Sequence, residues 1–271
     1  MSDKNNIRDA ADAIKGIAEA VPLYQDAVQP AAKEVGMALK TVAKTIHIAL
    51  APVSALVWGY DQFKDFLSTR VAEKLKDVPP ENIVTPKPNV AGPALEALRY
   101  TGHEESLRDM YANLLASSMN SSTANAVHPA FVEIIKQLTP DEARILKLFT
   151  VNRPFPLINI RRIVRDNNNK RTGSVNIVTN FSLLGLEADC ERPDDTPIYL
   201  NNLCRLGLAE IPEMLNFTAP NVYDALENSE QVRSIMDVFE KIEPGSTTIV
   251  RGGLRVTDFG RVFCGLCVNI S

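Results

Sequence analysis

Two clusters of residues in this chain have types and spacings that chemistry uses. Cys264-Gly-Leu-Cys267 has the spacing of zinc sites and redox dithiols. A tetrahedral site needs two further ligands, and Cys190 and Cys204 are the remaining cysteines, too far apart in sequence to resemble a zinc pair. Phe263, Leu266 and Val268 make the neighbourhood apolar, so core packing is the expectation for these thiols. The histidines are His47, His103 and His128, and they suggest neither a metal triad nor a Ser-His-Asp arrangement. Walker A, GxGxxG, HExxH and GxSxG motifs do not occur. The expectation is a non-enzyme with no metal, no cofactor and no catalytic residue. An effector enzyme would need a carboxylate cluster assembled by the fold.

The second cluster is basic. Arg153, Arg161, Arg162, Arg165, Lys170 and Arg171 fall close together, against the single acid Asp166. On a helix, Arg161, Arg162 and Arg165 share a face, and Asn167, Asn168 and Asn169 follow with groups that bond phosphates or bases. The patch is a candidate surface for nucleic acid or an acidic partner. A solvated basic face is the plain alternative.

A third feature is physical rather than catalytic. Thr45 to Tyr60 contains no Asp, Glu, Lys or Arg. The run is shorter than the ~20 residues that span a bilayer, and Pro52 interrupts it. At roughly 100° per residue, Val35, Leu39, Val42, Ile46, Leu50 and Val53 share one side of a helix. Lys33, Lys40, Lys44 and His47 cluster beside them, and Ile48, Leu56, Val57 and Trp58 widen the apolar surface toward the C-terminal end. A lysine-flanked apolar stripe suits a membrane surface or a protein partner. It equally suits a helix packed in a bundle, which is the plainer reading. Lys40, Lys44, Ile46, Leu50, Val53, Leu56, Val57 and Trp58 are therefore the candidate membrane or partner contacts.

The elements that position these residues follow from composition and caps. The chain has 271 residues, of which 45% are hydrophobic, enough for a packed core without disulfides. Its 29 basic and 33 acidic residues leave a net charge of −4, which argues against a protein that coats nucleic acid over its whole surface. The polar N-terminus has no apolar signal segment, so the expected location is cytoplasmic, with peripheral contact at the inner membrane as a variant. Residues 1–77 read as an amphipathic helical region. Residues 78–93 hold Pro79, Pro80, Pro86, Pro88 and Pro93, a Pro-rich extended connector.

Residues 94–138 read as helical, with a capping box at Thr101–Glu104 and a helix started by His128-Pro129. A second capping box, Thr139–Glu142, opens residues 139–271. There the pattern predicts helices over 139–151 and 156–166, a polar loop over 167–174, a helix over 197–206 closed by Gly207, and an inserted helix over 223–242. A hairpin is predicted around Gly252-Gly253, then a helix capped by Thr257. Helices followed by a hairpin is the order of a winged helix. The expected fold is mainly α: an N-terminal helical bundle-like region plus a C-terminal winged-helix-like module.

Three stretches carry a resemblance: Ala49–Tyr60, Asn89–Tyr100 and Val127–Glu142. They resemble the bacterial Abi-alpha family, named for abortive infection, and the similarity runs from about Lys33 to Cys264. The resemblance implies a role in defence against phage and transfers no catalytic residue. The resulting expectation is a phage-defence protein that works by recognising a partner or a membrane surface. The partner is a phage component or a second defence protein, and self-association is compatible with the broad helical faces. The alternative is a nucleic-acid-binding regulator built on the winged helix, although the helix over 197–208 offers only Arg205 as a cation.

Overall fold

The computed structural model describes residues 40–50, 66–101 and 104–268. Residues 40–50 are helical and enter the main core through Val42, Ile46, Ala49 and Leu50. A turn of π-helix, Leu67–Val71, runs into Ala72–Lys74. The connector is not wholly extended, because α1 (Pro88–Thr101) begins inside it. Pro88 opens the helix, where a missing N–H costs nothing, and Pro93 sits within it. The preceding stretch is pinned as a strap: Val84 N–H donates to Met119 O at 2.8 Å, and Ser121 N–H donates to Asn82 O at 2.9 Å.

α2 (Glu105–Met119) is buried on nearly every side, from Leu107 and Met110 through Met119. The capping box expected at Thr101–Glu104 does not form. Thr101 ends α1 and its hydroxyl donates to Ala97 O at 3.0 Å, while Glu104 precedes α2 without a side-chain cap. α3 (Ala130–Lys136) follows Pro129, and its Phe131, Ile134 and Ile135 are buried. α4 (Pro140–Leu148) has both halves of the expected capping box: Glu142 N–H donates to Thr139 Oγ1, and Thr139 N–H donates to Glu142 Oε2.

The region after α4 overturns the expected winged helix. Residues 156–166 are not a helix. They belong to β1 (Phe155–Arg165), which pairs antiparallel with β2 (Arg171–Phe181) and with β4 (Thr247–Val256). With β3 (Ala209–Glu210), the four strands form one antiparallel sheet in the order β2-β1-β4-β3. Ile158, Ile160, Ile163 and Val164 are β-branched and favour the pleated form. The expected loop over 167–174 shrinks to a tight turn. Asp166 Oδ1 accepts from the N–H groups of Asn168 and Lys170, and Asn169 adopts a φ of 61°.

The expected hairpin at Gly252-Gly253 is also absent, because β4 runs straight through both glycines. Close packing, not a turn, explains Gly253: a Cβ there would stand 2.6 Å from the Phe217 ring. β2 carries irregularities where its register against β1 shifts, while the β1–β4 register is unbroken. Such bulges increase local twist and bend the sheet.

α5 (Thr196–Arg205) ends as expected, with Gly207 at a φ of 73°. The inserted helix is divided. A turn, Asp224–Glu227, precedes α6 (Glu230–Ile242), and Ser229 Oγ caps α6 at Val232 N–H. α6 lies over one face of the sheet, where Val232, Ile235 and Met236 meet Ile158, Ile160 and Val178 in a second, smaller core. Thr257 caps α7 (Asp258–Phe263), which runs into a π-helical end, Cys264–Val268. α2 receives that end: Asn113 Nδ2 donates to Cys267 O at 3.0 Å, and Ser117 Oγ donates to Leu266 O at 2.9 Å. These two buried polar groups satisfy carbonyls that a helix terminus leaves without partners.

Candidate functional site

Of the basic residues, Arg161, Arg162, Arg165, Lys170 and Arg171 lie at the exposed end of the β1–β2 ribbon, and Arg153 precedes β1. β1 alternates its side chains, so its arginines cannot share one face as they would on a helix. Arg162 points to the side covered by α6 and is neutralised there by Glu243, 2.8 Å away. Arg161 and Arg165 occupy the opposite face. Arg161 stands between Asn176 and Thr248 in the ladder, and its Nε donates to Asn176 Oδ1 at 3.2 Å. Arg165 is paired directly with Arg171, and its guanidinium donates to the Asn169 carbonyl at 3.3 Å. Lys170 is exposed in the turn. Asp166 accepts from two turn N–H groups. The result is an exposed ribbon with cations on one face, and with Val164 and Val175, 41% and 60% exposed, on the other.

The helical stretch that suggested a membrane or partner surface faces inward. Ile46 and Leu50 are fully buried, and Lys40 and Lys44 are exposed on the outer side. Val53, Leu56, Val57 and Trp58 lie outside the described residues. Among the described residues, no helix is long and apolar enough to cross a membrane.

The cysteines sit in apolar packing. Burial pushes the Cys264 thiol up to about 12 and Cys267 well above the ordinary thiol range. Burial, with the Asp141 carboxylate nearby, raises Cys190 to about 11. Such thiols are poor nucleophiles. Among the described residues, no three His, Cys, Asp or Glu side chains gather as a metal-binding group. His128 is structural: its Nδ1 accepts from Ala130 N–H at 3.1 Å.

One carboxylate is deeply placed. Asp141 is buried, and burial alone would raise its pKa. That effect is outweighed by N–H donors from Glu191 and Arg192, by the Tyr199 hydroxyl at 2.9 Å and by Arg144, so the group is held below the usual carboxylate range. Both its oxygens are engaged, and it ties α4 to the segment leading into α5.

Sequence reasoning missed a cleft of about 490 Å³ where the α4–β1 connection, β4 and the C-terminal helix meet. Arg153, Arg255 and Arg261 line it, together with Phe149, Phe155 and Phe217. Arg153 had been grouped with the basic run. The other two arginines lie about a hundred residues further along the chain, and only the sheet brings them together.

The fold and these surfaces define a helical protein carrying a bulged antiparallel sheet, with a basic ribbon at one end. The family model for Abortive infection alpha matches residues 59–267, and the chain belongs to that family. Membership connects it with abortive infection. No curated protein matches the chain. It is similar to a solved structure of an uncharacterized protein from the hydrocarbon-degrading marine bacterium Alcanivorax borkumensis SK2. The identity is 21% over 55% of this chain and 96% of that one, with a TM-score of 0.35, a likeness too slight to define the fold.

Proposed function

We propose that this chain serves abortive-infection-type phage defence by recognition rather than by catalysis, and that it docks an acidic protein surface on the β1–β2 ribbon. The observation that carries this reading is the direct pairing of Arg165 with Arg171 on the face that also bears Arg161. Like charges placed opposite each other in a sheet are unfavourable, by roughly 0.2–1 kcal/mol. An anionic partner would turn that cost into affinity. Arginine is also enriched in protein interfaces, and guanidinium forks match carboxylates bidentately.

The buried thiols and the fully engaged Asp141 support a role without covalent or acid–base chemistry. The inward packing of Ile46 and Leu50 favours the ribbon over the 40–50 helix as the contact surface. The test is phage plating on cells expressing the chain with Arg161→Ala, Arg165→Ala and Arg171→Ala combined. Protection is expected to disappear while the variant stays folded and abundant. Full protection by the folded variant would contradict the proposal.

A further inference from the structure

The cleft where the α4–β1 connection, β4 and the C-terminal helix meet differs in its chemistry from the ribbon. Its volume of about 490 Å³ is typical of small-molecule sites. Three arginines reach it from three segments: Arg153 from the α4–β1 connection, Arg255 from β4 and Arg261 from α7. Among the described residues, no carboxylate lines it.

The acids that pair with these arginines stand outside the lining. Glu187 pairs with Arg153, Glu210 with Arg255 at 2.6 Å, and Asp258 with Arg261. Each guanidinium has five N–H donors, and these pairs with Val256 O at Arg261 occupy no more than two of its nitrogens. The acids thus orient the forks and leave donors for a ligand.

The rest of the lining is mostly apolar and includes Phe149, Phe155 and Phe217 beside Leu215, Leu254 and Val256, with Phe149 and Phe155 themselves buried. Phe149 and Phe155 pack edge-to-face at 5.1 Å, and the Arg153 guanidinium lies over the Phe155 ring at 4.9 Å. Phe217 also lines the cleft. Its N–H donates to the Tyr223 hydroxyl at 2.9 Å, that hydroxyl donates to Gly252 O at 2.8 Å, and the absent Cβ of Gly253 makes room for the ring.

We propose that this cleft binds a nucleoside phosphate, with the base against the partly exposed Phe217 ring and the phosphate oxygens on the arginines. A flat π-system is matched by aromatic side chains, and several guanidinium forks suit a group with many anionic oxygens better than a single carboxylate. The site uses none of the docking arginines Arg161, Arg165 and Arg171, so its failure would leave the partner-docking proposal standing, and the reverse.

The experiment is calorimetric titration of the full chain with ADP, with adenosine and inorganic phosphate titrated separately. ADP is expected to bind more tightly than either component. Arg255→Ala should weaken ADP roughly tenfold or more, the loss expected for charge-assisted hydrogen bonds. Glu210→Gln releases Arg255 from its counter-ion and should tighten ADP binding severalfold, a gain that structural damage does not produce. No binding of ADP at millimolar concentration would overturn the proposal. So would unchanged affinity in both variants, or phosphate binding as tightly as ADP.

Discussion

Arg165 and Arg171 stand directly opposite each other across the β1–β2 ladder, on the face of the ribbon that α6 does not cover. Arg162, the nearby arginine on the covered face, has Glu243 as its partner. The sheet therefore neutralises a cation where a helix packs and leaves two facing each other where solvent is. That asymmetry is the structural basis for assigning recognition to this surface.

Relieving the pair separates stability from function. Arg171→Thr should raise unfolding stability slightly, by about 0.2–1 kcal/mol, because it removes a like-charge contact and adds a strand-favouring residue. It should also weaken phage protection. Denaturant unfolding checks the first effect and plating efficiency the second. A merely solvated basic face would give the gain in stability without the loss of protection.

The 40–50 helix makes the opposite prediction. Leu50 is fully buried in the main core. Leu50→Ala should cost about 2–5 kcal/mol, the range for large-to-small core changes. An equilibrium denaturation curve measures it. A nearly neutral result would mean that this side chain lies on a free apolar face. Lys40→Gln with Lys44→Gln should be close to neutral for stability, since both lysines are exposed.

Much of the helical part was legible because its signals are local. Thr139 and Glu142 carry their capping box within four residues, and Thr257 caps α7 by the same short-range logic. Gly207 marks the end of α5 because a positive φ suits glycine. The sheet was not legible, since its evidence is long-range. Arg161, Arg162 and Arg165 fit a helical face by spacing alone. What decides for a strand is Arg161 pairing with Asn176 on one side and Thr248 on the other. Gly252-Gly253 looks like a turn until Phe217 is seen packed against it. The division of the basic residues between two faces was therefore not legible in their spacing.

Asp141 predicts an acid-sensitive fold. Its pKa is lowered in the folded state, so ionisation adds stability at pH values above the unfolded carboxylate value of about 3.9. That contribution is lost as pH falls through the lowered folded value. Asp141→Asn should cost about 2–4 kcal/mol at neutral pH, because an amide nitrogen would face N–H donors in a buried site. The variant should also lose part of the wild-type decline in stability at acid pH. Melting temperatures of both proteins from about pH 7 down to about pH 2 test this, since the loss falls below the usual carboxylate value. Parallel curves would contradict the role given to Asp141.

The central claim is that the free face of the ribbon touches a partner protein during infection. Ser174 is exposed and pairs with Ile163, so it lies on the same face as Arg161 and Arg165. Ile198 is also exposed, on α5 rather than on the β1–β2 ribbon. A photo-crosslinking residue placed at each position, with illumination during phage infection, measures contact directly. The account predicts a protease-sensitive adduct at Ser174 that is lost with Arg165→Ala and is not formed at Ile198. No adduct at Ser174, equal adducts at both positions, or an adduct destroyed by nuclease rather than protease would contradict it.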